Sequence, residues 1–402
     1  PPFAPLQKFL EEMEFKTFSK RWWDAMGMLA EKTPAVAIGQ STLFDQDFVE
    51  ARAGLDSIIS SINSIEHEYH LIDNIPDLDK LVSELKKKKL FCYDTETDSL
   101  DTLTATLAGI AICSEAGKAF FIYTKDESFR KTALEKLKPI FENEEIVKIG
   151  QNLKYDIAVL RTYGVEVKGK IADTMLAHYL LQPDLRHNLD FLSETYLNYK
   201  TITFDELLGS GKQKISIFDV AVEKLKEYAC EDADVTLKLW QILEPELDTY
   251  GMTELFYEIE TPLVEVLEDM ERSGVRIDQH SLKEFSQTLG KEILRLESDI
   301  HQLAGQPFNI ASPKQLGEIL FDKLQIAEKP KKTQTKQYST SEEVLQKYLT
   351  RHPIVAKVLE FRGLTKLQNT YVEALPELIH AKTGRVHTSY NQAVTATGRL
   401  SS

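Results

Sequence analysis

KLFCYDTETDSLD (residues 89–101) begins as an apolar run and stops abruptly on carboxylates. Its first half reads as a buried strand. Residues two apart in a strand face the same way, so Asp94 and Glu96 emerge together at the strand end. Asp98 and Asp101 follow close behind. Carboxylates this close repel one another unless something positive lies between them. Calcium is one candidate, because acids at positions 1, 3 and 5 suggest an EF-hand loop. That reading fails, since the sixth position is Ser99 rather than Gly and the twelfth is Ala105 rather than Glu. A plain alternative stays open here: surface acids that merely close a strand.

Outward from this strand, residues 66–248 alternate strand-like and helix-like runs, as an α/β domain does. EYHLID (68–73) reads as a second strand, and TLAGIAICSE (106–115) with KAFFIYT (118–124) as a pair around a turn at Gly117. Apolar spacing predicts helices at 130–142, 155–163, 172–181, 188–196 and 219–243. After Pro245 long amphipathic helices take over, one stopping at Gly274 and one running over 281–303. Ser312 precedes Pro313 and lies three before Gln315, a helix N-terminus signature that Thr340 and Glu343 repeat. Residues 1–65 read as the tail of a preceding domain, helical over 6–15, followed by a linker region.

Composition sets outer bounds. With 402 residues the chain can hold two or three domains. No apolar run reaches the roughly 18 residues of a membrane helix. Cys92, Cys113 and Cys230 are far apart and form no CxxC pair, which argues against a zinc knuckle or a disulfide framework and fits a reducing cytoplasm. A net charge of −15 argues against nonspecific coating of nucleic acid, though not against a local basic groove. One such run exists: Lys329, Lys331, Lys332 and Lys336 in KPKKTQTKQYS, with no acid among them. The chain opens without Met and stops on TATGRLSS, and it reads as an internal piece of a longer protein.

Other signals carry less. GSGKQK (209–214) lacks the first Gly of a phosphate loop. His178 and His187 read as ordinary helix residues, and Lys86–Lys89 as a solvated face.

Two further stretches give the carboxylates company. KIGQNLKYDIAVL (148–160) runs from a strand end through Gly150 and Asn152 into a helix carrying Asp156. In KEYACEDADVTLKLW (226–240), Tyr228 and Asp232 lie four apart and share one helical face. Taken singly, Asp156 and Asp232 read as solvated helix charges. Together with Asp94 and Glu96 they form an ordered set: Asp-x-Glu, Asn-x-x-x-Asp, Tyr-x-x-x-Asp.

That set resembles the exonuclease motifs of the proofreading domain in the DNA polymerase I family (family A DNA polymerases), in the tyrosine subtype of the DEDD exonucleases. The words DTETDSL, GQNLKYD, KTITF and EDADVTL carry the likeness; STSEEVL, FRGLTKLQNTY and KTGRVHTSYNQAVTATGRLSS extend it over roughly residues 66–402. The resemblance implies a ribonuclease H-like α/β exonuclease domain over 66–248, its mixed sheet flanked by helices. A mainly helical polymerase thumb and the start of a palm would follow over 249–402. It further implies two divalent cations, Mg²⁺ with Mn²⁺ able to substitute, held by Asp94, Glu96 and Asp232 and by Asp94 with Asp156. Tyr228 and Glu96 would orient the attacking water. Thr97, Leu100, Asn152, Arg186 and Phe204 would hold a single-stranded DNA 3′ end, with Leu100 against the terminal base. Lys329, Lys331, Lys332, Lys336, Arg362, Lys366 and Arg399 would grip a primer–template duplex. The implied protein is a cytoplasmic bacterial monomer serving DNA replication and repair. A nuclease-dead scaffold and a ribonuclease D-type enzyme are the competing readings. The intact acids speak against the first, and TATGRLSS with STSEEVL against the second.

Overall fold

Strand β2 (Leu90–Thr97) lies inside a six-stranded sheet, and its alternation assigns the two faces. Phe91 and Tyr93 meet Phe141 edge-on, with ring centroids 5.5 and 5.0 Å apart. Cys92, on the opposite face, pairs across the ladder with Cys113, whose thiol lies beside Asp234 of the long helix α5 (Val222–Thr249). Helices therefore cover both faces, which is why β2 reads as a nearly continuous apolar run.

The computed structural model describes residues 59–211, 214–333 and 336–402. The helix expected at 6–15, most of the 1–65 linker and two positions of GSGKQK lie outside these residues. The other strands are β1 (Glu68–Ile72), β3 (Leu107–Glu115), β4 (Lys118–Tyr123), β5 (Val147–Gly150) and β6 (Ile171–Asp173). Their order is β1-β4-β3-β2-β5-β6, with β3 alone antiparallel to its neighbours. A bulge between Glu96 and Thr97 ends the β2–β3 ladder where the acids emerge. Opposite Glu96 stands Gly109, where a Cβ would come within 2.3 Å of the Phe121 ring.

Besides α5, four described helices of eight residues or more flank the sheet: α1 (Ile75–Leu85), α2 (Glu127–Phe141), α3 (Leu153–Thr162) and α4 (Thr174–Leu181). Helix α1 was not expected from the sequence, although Asn74 caps it and Pro76 sits in its first turn. The helix expected from 172 begins only at Thr174, because β6 still runs to Asp173. Helix α5 crosses β2, β3 and β4 and continues through Pro245 to Thr249, beyond the expected end.

Beyond it come α6 (Thr261–Ser273), stopped at Gly274 as expected, and α7 (Gln279–Ala304). Helix α8 (Pro353–Leu367) packs on α7 and closes a second apolar core with Ile300, Leu316, Leu320, Leu345 and Val358. A short hairpin, β7 (Ile379–His380) and β8 (Arg385–Val386), follows. Ser312 caps its helix through Gln315 as predicted. Thr340 does not cap the next one: Ser341 takes the N-cap position, and the Thr340 hydroxyl accepts from Arg362 instead. Cys92, Cys113 and Cys230 are buried and free.

Candidate metal centre

Asp94 and Glu96 leave the end of β2 on the face covered by α5, and Asp232 comes down to them from that helix. One carboxylate oxygen from each lies within 4.8 Å of the others. Asp156, on α3, joins from the side. Its Oδ1 accepts from the backbone N–H of Thr95 at 2.9 Å and from the Thr95 hydroxyl at 2.5 Å. Asp156 is 3% exposed, so the solvated reading it has when taken singly does not hold. Asp232 is half-buried rather than fully solvated.

Electrostatics set these four acids apart. Burial lifts Asp94 to about 7. Burial first, and then the neighbouring charges of Asp94, Asp232 and Asp156, hold Glu96 well above the carboxylate range. Burial and Asp94 do the same to Asp156 and Asp232. The apolar walls and mutual repulsion keep protons on the cluster unless a cation replaces them. Glu96 is 5% exposed, and its Oε1 has no hydrogen-bond partner. A buried carboxylate oxygen left unpaired beside two more carboxylates fits a hard divalent cation, which takes oxygen ligands.

Other acids nearby are spoken for. Asp98 accepts from Thr106 N, and Asp101 from Leu103 N and the Thr104 hydroxyl, so both shape the turn after β2. Within the EDAD run, Glu231 accepts from Tyr199 and Ile202 N, and Asp234 from Tyr69, Gly117 N and Lys238. Only Asp232 of that run turns into the cluster.

Tyr228 stands one turn before Asp232 on the same helix, beside Asp232 and Glu96. Burial, and then Asp232 and Glu96, push the phenol far above its ordinary range, so it stays protonated. Phe204 is 41% exposed and leans on Tyr228 with ring centroids 6.4 Å apart. Asn152 stands at the N-terminus of α3 in the left-handed region, φ 59°, which Asn tolerates. Thr97 bonds Tyr155 and Ser99 O, and Leu100, at 91% exposure, tips the turn beyond them. Arg186 is exposed in a loop that His187 O ties to Gln151, and it has no ion-pair partner among the described residues.

Asp173 was missed from sequence. It is buried and accepts from Asn152 N, Leu153 N, Met175 N and Leu176 N at 2.8–3.4 Å. One carboxylate thus caps both α3 and α4 and fixes the helix that presents Asp156. An Asp before the apolar run TMLAHYLL signals the local cap; the cap on α3 comes from twenty residues away and has no local signature. His178 and His187 are not ordinary helix residues: their Nδ1 atoms hydrogen-bond each other at 2.7 Å, with burial holding both below the usual histidine range.

The basic residues expected on duplex DNA gather elsewhere. Lys329, Lys331, Lys332 and Lys336 are exposed and unpaired by acids among the described residues; Lys332 lies 5.0 Å from the Tyr338 ring centroid. Lys366 and Arg362 line a shallow cavity of about 710 Å³ with Tyr338 and Thr340. Arg362 is half-buried and directs its donors at Thr340, so it holds the end of the lysine loop. Arg399 is exposed on the turn closed by Thr395.

Comparison with known proteins matches residues 69–248 to a 3′-5′ exonuclease family and residues 279–402 to DNA polymerase family A. The DNA polymerase I of Rhizobium leguminosarum is 38% identical over 360 residues, covering 83% of this chain and 35% of that protein. That of Synechocystis sp. is 41% identical over 344 residues, with 83% and 35% covered. The solved POL domain of Pol1 from M. smegmatis, in complex with DNA primer-template and dNTP, gives a TM-score of 0.68 at 26% identity. It covers 83% of this chain and 54% of that one. The chain spans about a third of the length of these curated relatives.

Proposed function

Since the chain belongs to DNA polymerase family A, we propose that it removes nucleotides from DNA 3′ ends by metal-dependent hydrolysis. The observation that carries this is the convergence of Asp94, Glu96 and Asp232, with one Glu96 oxygen left unpartnered. Asp94, Glu96 and Asp232 would hold one divalent cation and Asp94 with Asp156 a second, Mg²⁺ or, in its place, Mn²⁺. When bound, such ions stabilise the charge on the attacking and leaving oxygens of a phosphodiester.

The chain's own side chains place the reactants. Tyr228 remains a phenol, so it orients the attacking water with Glu96 rather than deprotonating it. Tyr228→Phe keeps the ring and removes the hydroxyl that does this. Its trimming rate should fall toward the low end of the ~10²–10⁴-fold range for acid–base groups. A single-turnover rate equal to the parent's would remove Tyr228 from the reaction. Leu100 and Phe204 offer exposed apolar surface to the last bases and Arg186 a charge to a phosphate, with Thr97 and Asn152 assisting. Stacking of this kind tolerates any sequence.

We divide the described chain at residues 248/249, assigning the sheet domain to hydrolysis and the helices beyond to duplex DNA. The partner is a primer–template, gripped by Lys329, Lys331, Lys332 and Lys336 with Lys366, Arg399 and the Arg362-supported loop. Neutralising the four loop lysines should weaken binding evenly across sequences. The slope of log affinity against log salt should shrink by up to about 0.9 for each DNA phosphate that is no longer neutralised. An unchanged slope would place the loop off the DNA. No described helix is long and apolar enough to cross a membrane. We assign the protein to the bacterial cytoplasm as a monomer, the proofreading part of a DNA-directed DNA polymerase in replication and repair. The direct test is a 5′-labelled single strand: a ladder of shortened products with Mg²⁺, none with a chelator.

A further inference from the structure

Leu100 sits in water at the tip of the turn between β2 and β3, four residues beyond Glu96. With so little packed on it, its position depends on how the turn is tied down. Some ties come from the sheet domain itself. Thr106 N donates to Asp98 at 2.7 Å, and the Tyr155 hydroxyl to Ser99 O at 2.7 Å.

Others come from far along the chain. His380 Nε2, on hairpin β7–β8, lies 3.2 Å from Asp101 Oδ2. A carboxylate can only accept, so His380 carries its proton on Nε2; its Nδ1 is buried without a partner. Lys382, at the hairpin turn, donates to Leu103 O at 3.3 Å. Arg272 of α6 donates to Thr162, whose hydroxyl donates to Thr102 O at 3.0 Å. Asp101 and Leu103, just after Leu100, are held directly from this second part of the chain, and Thr102 only through Thr162. Between turn and hairpin lies a cleft of about 370 Å³ whose lining includes Leu100, Asn152, Tyr155, His380 and His387.

We propose that hairpin β7–β8, acting through His380, positions Leu100 and thereby sets how readily a paired 3′ end is opened for hydrolysis. The inference rests on the nuclease reading above. An apolar tip can separate a terminal base pair only if it does not yield, because unpairing a terminus costs a few kcal/mol. A single strand needs no such opening. His380 is therefore a positioning residue whose loss should appear chiefly on paired ends.

The test compares kcat/KM on a blunt duplex and on a single strand of the same sequence, for the parent, His380→Ala and His380→Gln. His380→Ala should lower duplex trimming about three- to tenfold, the scale of the net worth of one ordinary hydrogen bond. Single-strand trimming should stay within about twofold. His380→Gln should restore the duplex rate, because its amide can donate to Asp101. Lys382→Ala should move the same ratio, by less. An unchanged ratio in His380→Ala, or an equal fall on both substrates, would overturn the proposal. A parent that trims neither strand would instead overturn the nuclease reading, and this inference with it.

Discussion

Asp156→Asn is expected to lose 3′ trimming of single-stranded DNA by at least about 10³-fold while melting like the parent at pH 5.5 in EDTA, where the acids hold their protons. The loss should exceed the ~10²–10³-fold typical of one transition-state donor, because a ligand charge disappears rather than a hydrogen bond. The amide oxygen can still accept from Thr95 N and the Thr95 hydroxyl, so the buried partner set survives. Asp156→Ala should lose activity equally and also cost about 1–3 kcal/mol, since it leaves Thr95 N–H unpaired in a buried position. The check is a gel time course beside a thermal melt for both variants. An Asp156→Asn protein that trims at the parent rate would remove Asp156 from the metal centre.

Chelated protein is expected to lose stability as pH rises, the reverse of ordinary carboxylate behaviour. Asp94 is lifted from an unfolded value near 3.8 to about 7, and Glu96, Asp156 and Asp232 are raised in the same direction. Between these values the folded state holds more protons than the unfolded state, so its advantage is present at low pH. That advantage drains away as pH climbs through about 7. With EDTA present, Tm at pH 8 should lie below Tm at pH 5.5, by on the order of 5 °C. Mg²⁺ or Mn²⁺ should raise Tm strongly at pH 8 and weakly at pH 5.5, because binding must displace those protons. Trimming should rise with pH over the same interval. A metal-free Tm that climbs from pH 5.5 to 8 would mean that the acids are not crowded as the geometry has them.

The parts of the fold written in local pattern were legible from sequence. KLFCYDTE announced its strand because helices cover both faces, and Gly274 announced the end of α6. Elements whose cause is distant were not. Strand β6 is three residues long and continues straight into α4, so its periodicity merges with the helix. Thr340 has the spacing of a cap, yet Arg362, twenty-two residues on, claims its hydroxyl. Pro245 reads as a break, yet α5 carries it because Leu243 and Leu247 on either side are buried in the core. The metal-ligand candidates Asp94, Glu96, Asp156 and Asp232 came from motif order. Their supports, Thr95 and Asp173, emerged only from the three-dimensional packing. The same holds for the difference between Asp232 and its neighbours Glu231 and Asp234. In EDAD three of the four residues are acids, and only the partners at Tyr69, Tyr199 and Lys238 show which two are structural.

The claim that these four carboxylates form a two-cation hydrolytic centre is tested most directly by anomalous diffraction. Crystals of the protein would be soaked in Mn²⁺ with a short single-stranded oligonucleotide at a pH above 7. One manganese peak is expected among Asp94, Glu96 and Asp232 and a second between Asp94 and Asp156, with the 3′-terminal phosphodiester against both. Full DNA density in this cleft with no manganese on these carboxylates would contradict it.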